Sequence, residues 1–521
     1  MKYIPRSRRL VAAAVSVLAA AALLTGCSTN SSSLSDSKTP GTASITIQYP
    51  TDIESMNPYA HSSSVTYSRW SNVMEPLVDY DYSTGKYVGV LAESWEDSGT
   101  SWTFHLRKGV KFQSGADFTS ADVIWSINRM INDPKSLQAD HFTGVTSYTA
   151  PDDYTVVITT KTPNPTLLLN LPNSLISSKT TYEKYAGGDD FANSAKADAH
   201  PDGTGPYSFV SYQTGVSLTV KKNPHYWGKL GADTPETMIF KVINSTADAV
   251  AALQRGEVDI VQGLSDTDTD TITKNKDKVI SVDGTRTMFL AFNPKANPLF
   301  ADVRVRQAIS EAIDVSSITK NIFHGEFTQS ADAIPPAIYG APKDLKPYKY
   351  DPADAKAKLA AAGATGATVQ LTTPTGRYPH DVEVAQAVVQ YLNDVGLKAS
   401  VLTPDFATLS SDMSAGKLGF FQISRGGYND ASQLLNQYFR TGDTKRTEYS
   451  NSKVDALLNA AQSEPDDTKR LADLQQAQQL IVADAPAVFF GAYKDIYGTT
   501  SKIAWKPDAS QEILGKDITV G

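Results

Sequence analysis

Seven histidines are scattered along the chain, His61, His105, His141, His200, His225, His324 and His380, with no two at the spacing that puts ligands on one helix face. A zinc site is therefore not expected. No G-x-S-x-G elbow, H-E-x-x-H pair or G-x-x-x-x-G-K-[ST] phosphate loop is present, so acyl transfer, zinc hydrolysis and nucleotide binding lack their usual machinery. A glycosidase-like carboxylate pair stays open, because two acids need meet only in space and the chain offers 56. The single cysteine, Cys27, excludes an intramolecular disulfide and a multi-cysteine metal cluster. The expectation is a protein that binds rather than catalyses, with no cofactor and no metal. One stretch has the polar density of a site: FFQISRGGYNDAS, residues 420–432, where an apolar run meets Arg425, two glycines, Tyr428, Asn429 and Asp430. It reads equally as an Asx-type turn, since Asn-Asp after Gly-Gly is ordinary turn chemistry, and as the rim of a pocket.

The surrounding elements favour a pocket. Short strand-like runs alternate with amphipathic helices, which predicts a mixed α/β fold. From residue 369 the order is strand 369–373, helix 381–393, strand 397–402, helix 406–415 and strand 420–424, a β-α-β-α-β pattern that implies parallel pairing. Ligands of such open sheets bind beyond the carboxyl ends of the strands, which is where residues 425–430 fall. Three helices carry their own start signals. Thr119 and Asp122 form a capping-box variant ahead of 119–131. Asp302 caps a helix whose apolar face is Val305, Ala308, Ile309, Ala312 and Ile313. Asp351 with Pro352 opens 352–362, and Gly363 ends it.

The amino-terminal end carries an address. Lys2, Arg6, Arg8 and Arg9 precede an apolar run over residues 10–24, roughly 15 residues and short of the ~20 needed to span a bilayer. Residues 1–26 therefore read as a signal peptide and 27–42, rich in Ser and Thr, as a flexible tether. Leu24-Thr25-Gly26-Cys27 resembles a bacterial lipobox, which implies diacylglyceryl attachment at Cys27 and a membrane-anchored, extracytoplasmic protein. Losing residues 1–26 takes the net charge from −8 to −12, which disfavours nucleic acid and bare anionic lipid as partners. About 480 residues follow the tether, enough for two or three domains.

Four blocks resemble extracellular solute-binding proteins of family 5, the peptide receptors of ABC importers: LAESWEDSGTSWTFHLRKGVKFQSGADFTSADV (91–123), GTGPYSFVSYQTGVSLTVKKNPHYWG (203–228), NPLFADVRVRQAISEAID (297–314) and YDPADAKAKLAAAG (350–363). The resemblance implies a bilobal periplasmic-binding-protein-like α/β fold with an additional third domain. Lobe one would be 43–70, 200–283 and 498–521, the additional domain 71–199, and lobe two 284–497. It further implies a monomeric receptor that closes on a solute and docks on a permease driven by an ATPase. Peptides are the first expectation, and an oligosaccharide or nickel complex the alternative. A surface hydrolase and a sensory or chaperone-like protein are the readings from other classes. Trp95, Trp102, Trp125 and Trp227 read as packing residues, and Gly203-Thr204-Gly205-Pro206 as a tight chain crossing.

Carried onto this chain, the family's Trp-x-x-Asp loop becomes Gly427-Tyr428-Asn429-Asp430. The resemblance assigns Asp430 to a peptide α-ammonium, whereas the turn reading makes it a cap. Gly427 in the tryptophan position leaves a wider space. The extended segment that pairs with ligand backbone falls on His61, Ser62, Ser63 and Ser64, with Ser62 where some receptors carry a glutamate. Phe406 is a pocket aromatic or a core residue, Arg425 a ligand contact or a solvated strand-end charge, and His380 a carboxylate partner or an exposed helix-start histidine.

Overall fold

The computed structural model describes residues 43–188, 191, 194–442 and 445–521. The signal peptide, Cys27 and the tether lie outside the described residues.

An eleven-stranded sheet organises the body. In chain order its strands are β1 (Ser44–Tyr49), β2 (Tyr207–Gln213), β3 (Ser217–Lys222), β4 (Thr237–Val242), β5 (Ile260–Val261), β6 (Lys278–Phe292), β7 (Phe327–Gln329), β8 (Thr368–Thr372), β9 (Lys398–Leu402), β10 (Phe420–Arg425) and β11 (Ala487–Thr499). Their order across the sheet is β2-β3-β4-β1-β5-β11-β6-β10-β8-β9, with β7 added alongside β11. β8 pairs in parallel with both β9 and β10, as the alternation of strand and helix predicts. Two long antiparallel strands, β6 and β11, run through the middle. Their register slips between Asp283 and Thr287, beside Gly284.

Pleating explains why the end of β6, Met288 to Phe292, is apolar at every position. Successive side chains leave opposite faces of a strand. Met288, Leu290 and Phe292 thus enter one core with Phe420, Val488 and Phe490. Phe289 and Ala291 enter the other with Phe421, Ile423 and Phe489. Helices cover both faces: Val303–Ala312 and Asp381–Asp394 on the first, Ala431–Phe439 and Asp467–Asp484 on the second. Burial on both sides is what a continuous hydrophobic run requires.

A separate four-stranded antiparallel sheet lies within residues 92–160. In its strand Ser101–Leu106, Trp102, Phe104 and Leu106 point inward while Thr103 and His105 point out. The helix Ser120–Asn132 packs on it, opened by the Thr119–Asp122 capping box. Asp302 and Asp351 cap their helices by accepting from the Arg304 and Asp354 amides. The glycine crossing is also present. A Cβ on Gly203 would lie 2.1 Å from the Val73 carbonyl oxygen, so only glycine lets these two chains pass.

Candidate functional site

β10 delivers its last residue, Arg425, and the chain turns through Gly426 and Gly427. Gly427 has φ +86°, in the left-handed region that favours glycine, and faces open space. Tyr428 donates its hydroxyl hydrogen to Gln437, and the helix Ala431–Phe439 follows. Asn429 stitches this rim to a distant segment, its side-chain amide donating to the Leu169 carbonyl at 3.1 Å.

Beneath the rim lies a cavity of about 390 Å³, within the range for small-molecule sites. Gly427, Tyr428, Asn429 and Gln433 form one side; His61 to Ser64 with Tyr67 form another. Asp79, Tyr80 and Tyr82 contribute from the hairpin that begins with strand Val78–Asp81, and Gln138, His141, Leu169 and Asn170 from the segments beside the smaller sheet. Thr285 and residues 509–512 complete it.

Both histidines are held neutral. Gln138 Nε2 donates to His61 Nε2 at 3.1 Å, which places the His61 proton on Nδ1. Burial lowers its pKa. His141 Nδ1 lies 3.3 Å from Ser174 Oγ, and burial, reinforced by His61, pushes its pKa down to about 4. The acids move the other way. Burial raises Asp79, and burial followed by the charge of Asp79 raises Glu512 to about 8. Burial also pushes the Tyr80 hydroxyl up to about 12. The cavity can therefore offer hydroxyl, amide and imidazole groups together with two acids. Among the described residues no cluster of three or more His, Cys, Asp or Glu is placed to hold a metal ion.

Seven of the residues expected at the site line this cavity: His61, Ser62, Ser63, Ser64, Gly427, Tyr428 and Asn429. Ser63 also caps the helix Ser64–Trp70 by accepting from the Val65 amide. Four stand elsewhere. Asp430, fully buried, caps the helix Ala431–Phe439: its Oδ1 accepts from the Ser432 amide at 2.8 Å. Its Oδ2 pairs with Arg470 Nη1 at 2.7 Å. Both carboxylate oxygens thus have protein partners, and Asp430 is not among the residues that line the cavity. Arg425 donates Nε to the Tyr438 hydroxyl at 2.9 Å. Phe406 packs on the core with Tyr378 and under the Arg377 guanidinium. His380 starts its helix at φ 55° and meets Asp266, which also pairs with His324.

Sequence reasoning did not reach Tyr67, Asp79, Tyr80, Tyr82, Gln138, His141 or Glu512. They come from stretches with no local motif, and only the alternation Asp79-Tyr80-Asp81-Tyr82 is unusual in composition. The four tryptophans read as packing residues lie outside the cavity. Trp102 and Trp125 are buried, and Trp227 donates Nε1 to the buried Glu75 at 2.8 Å.

Residues 86–446 match the sequence family described as bacterial extracellular solute-binding proteins, family 5 Middle. The chain belongs to that family. Heme-binding protein A of Haemophilus influenzae is 28% identical to this family 5 chain over 463 residues, 82% of each. The dipeptide-binding protein of Escherichia coli is 26% identical over 470 residues, 84% of this chain and 86% of its own. An ABC transporter substrate binding protein of Listeria monocytogenes shares the fold, with a TM-score of 0.82 at 21% identity over 92% of this chain and 99% of that one. This family 5 protein is thus an extracytoplasmic solute-binding receptor of an ABC transporter, and not an enzyme. No described helix is long and apolar enough to cross a membrane.

Proposed function

We propose that this receptor captures short peptides in the cavity and presents them to an ABC permease from a lipid anchor on Cys27. One observation carries the reading: the cavity draws its lining from all three of the domains expected from the sequence. By those expected bounds, His61 to Ser64 with Tyr67 and residues 509–512 fall in lobe one, Asp79, Tyr80, Tyr82, Gln138, His141, Leu169 and Asn170 in the additional domain, and Thr285 with Gly427, Tyr428, Asn429 and Gln433 in lobe two. A solute held there touches every part that must move together on closure. The register slip of β6 against β11 at 283–287 falls at the boundary expected between the lobes, where a hinge would need local give. Peptides are supported by the name of the dipeptide-binding relative and by the mixture of amide, hydroxyl and tyrosine groups, which suits a polar backbone with apolar side chains.

The test is mass spectrometry of solute released from the purified mature protein, followed by calorimetric titration with what is found and by small-angle scattering. Recovered peptides that bind and compact the protein support the reading; a sugar that does the same removes it. A second reading, a metal-bearing solute, is favoured by the facing of His61 and His141 into one cavity and by the name of the heme-binding relative. A nickel chelate whose absorption shifts on binding to wild-type protein, but not to His141→Ala, would support that reading.

A further inference from the structure

The cavity carries charge of one sign. Among the described residues its lining includes Asp79 and Glu512, two neutral histidines, and no lysine or arginine. Asp79 comes from the strand Val78–Asp81 and, among the described residues, accepts a hydrogen bond from the adjacent Tyr80 amide alone, at 2.8 Å. Glu512 comes from the chain's last segment, hydrogen-bonded to the Ser71 side chain and near enough for the charge of Asp79 to act on it. The other charged and titratable groups that act on Glu512 are Asp508 and Lys516, while Tyr49, Tyr67 and Tyr82 feel its charge in turn. Lys516 is the nearby cation for both acids, yet it stands outside the cavity lining.

A second observation is independent of the acids. Gln138 is 3% exposed and lines the cavity, its Nε2 is spent on His61, and its Oε1 has no hydrogen-bond partner. Buried acceptors are nearly always satisfied, so an orphan at a cavity wall marks where a donor belongs. A solute held against this wall can satisfy it with an N–H or O–H donor.

We propose that Asp79 and Glu512 form a cation subsite that receives a protonated amine or guanidinium of the solute, with Gln138 Oε1 accepting a further N–H. This rests on the cavity being the solute site. It moves charge recognition away from Asp430, whose ion pair with Arg470 is buried, to two acids that make no ion pair among the described residues. The physical logic is proton exchange. Two carboxylates in one enclosed space do not both ionise readily, and one keeps a proton until a cation replaces it. Binding of the cation then expels that proton, and affinity rises with pH toward 8.

The experiment titrates the mature protein with Ala-Ala-Ala, its N-acetyl form, N-acetyl-Lys-Ala-Ala and N-acetyl-norleucyl-Ala-Ala, in two buffers of different ionisation enthalpy. Cationic peptides are expected to bind at least about tenfold tighter than the neutral ones, a 1.4 kcal/mol difference, with net proton release at pH 7. Preference for the free amino terminus assigns the α-amine as the source, and preference for the lysine peptide assigns a side chain. Asp79→Asn and Glu512→Gln should erase the preference for cationic over neutral peptides, and circular dichroism with a thermal melt shows that the variants fold. Glu512→Gln should abolish proton release. Equal affinity for cationic and neutral peptides overturns the subsite and leaves the peptide reading standing. If no peptide binds, native mass spectrometry identifies the resident solute. A cationic one lost in Glu512→Gln upholds the subsite without peptides, and a neutral or anionic one, or none, overturns it.

Discussion

Asp430→Asn tests whether this aspartate belongs to the ligand or to the fold. The substitution keeps an oxygen to accept from the Ser432 amide, so the helix cap survives. It removes the carboxylate partner of Arg470, whose guanidinium is buried and donates Nε to the Ala461 carbonyl. Burial works against that cation, and Asp430 outweighs it, raising the Arg470 pKa. Breaking a buried pair from one side costs about 3–5 kcal/mol. Asp430→Ala should cost about 1 kcal/mol more through the lost cap. The assay is urea unfolding followed by tryptophan fluorescence, run on Asp430→Asn, Arg470→Met and the double variant. The double variant should recover much of the loss, because an apolar side chain tolerates burial where an unpaired cation does not. Solute affinity should stay within about twofold, since sites with no shared partner act independently. An Asp430→Asn protein as stable as wild type, with weakened binding of free-amine ligands only, would refute this account and restore Asp430 to the site.

Three further outcomes follow from the packing and the sequence. Asp332 is buried with one carboxyl oxygen unpartnered, and burial raises its pKa from 3.8 to about 7. The folded state therefore holds this proton more tightly than the unfolded chain, so stability falls as pH rises from the ordinary carboxylate range to about 7. Asp332→Asn should flatten that slope and gain up to about 4 kcal/mol above pH 7, read as the difference in urea midpoints between the two proteins. Gly491 has φ +133°, and a Cβ there would lie 2.1 Å from the Thr328 carbonyl oxygen where β7 meets β11. Gly491→Ala should thus cost at least about 1–3 kcal/mol and speed hydrogen exchange of the β7 amides. Cys27→Ser should move the protein from the membrane pellet to the supernatant of fractionated cells while leaving solute affinity intact.

What the sequence disclosed was local. Helix starts were legible because a cap is a contact between residues two or three apart, as at Thr119, Asp302 and Asp351. The parallel arrangement of β8, β9 and β10 was legible because intervening helices leave no other short connection. Residues 427–429 followed from that topology, and 61–64 from the resemblance. The rest of the cavity was not readable, since Asp79, His141 and Glu512 lie far apart in the chain and nothing in their neighbours' spacing records that they meet. Asp430 shows the same limit from the other side. Its turn context and its family position were both visible, but the cation that claims it lies 40 residues downstream.

The central sheet also dictates when this protein can become a protein. β1, among the first residues described, lies between β4 and β5, so its neighbours arrive only with residues 237–242 and 260. β5 and β6 in turn await β11, which ends at Thr499. The sheet therefore cannot be completed before Thr499 has been made, and pairing over such separations is slow because loop closure must come first. A polypeptide that must be threaded through a membrane before it folds gains from that delay: its strand order keeps it exportable until its last strand has emerged.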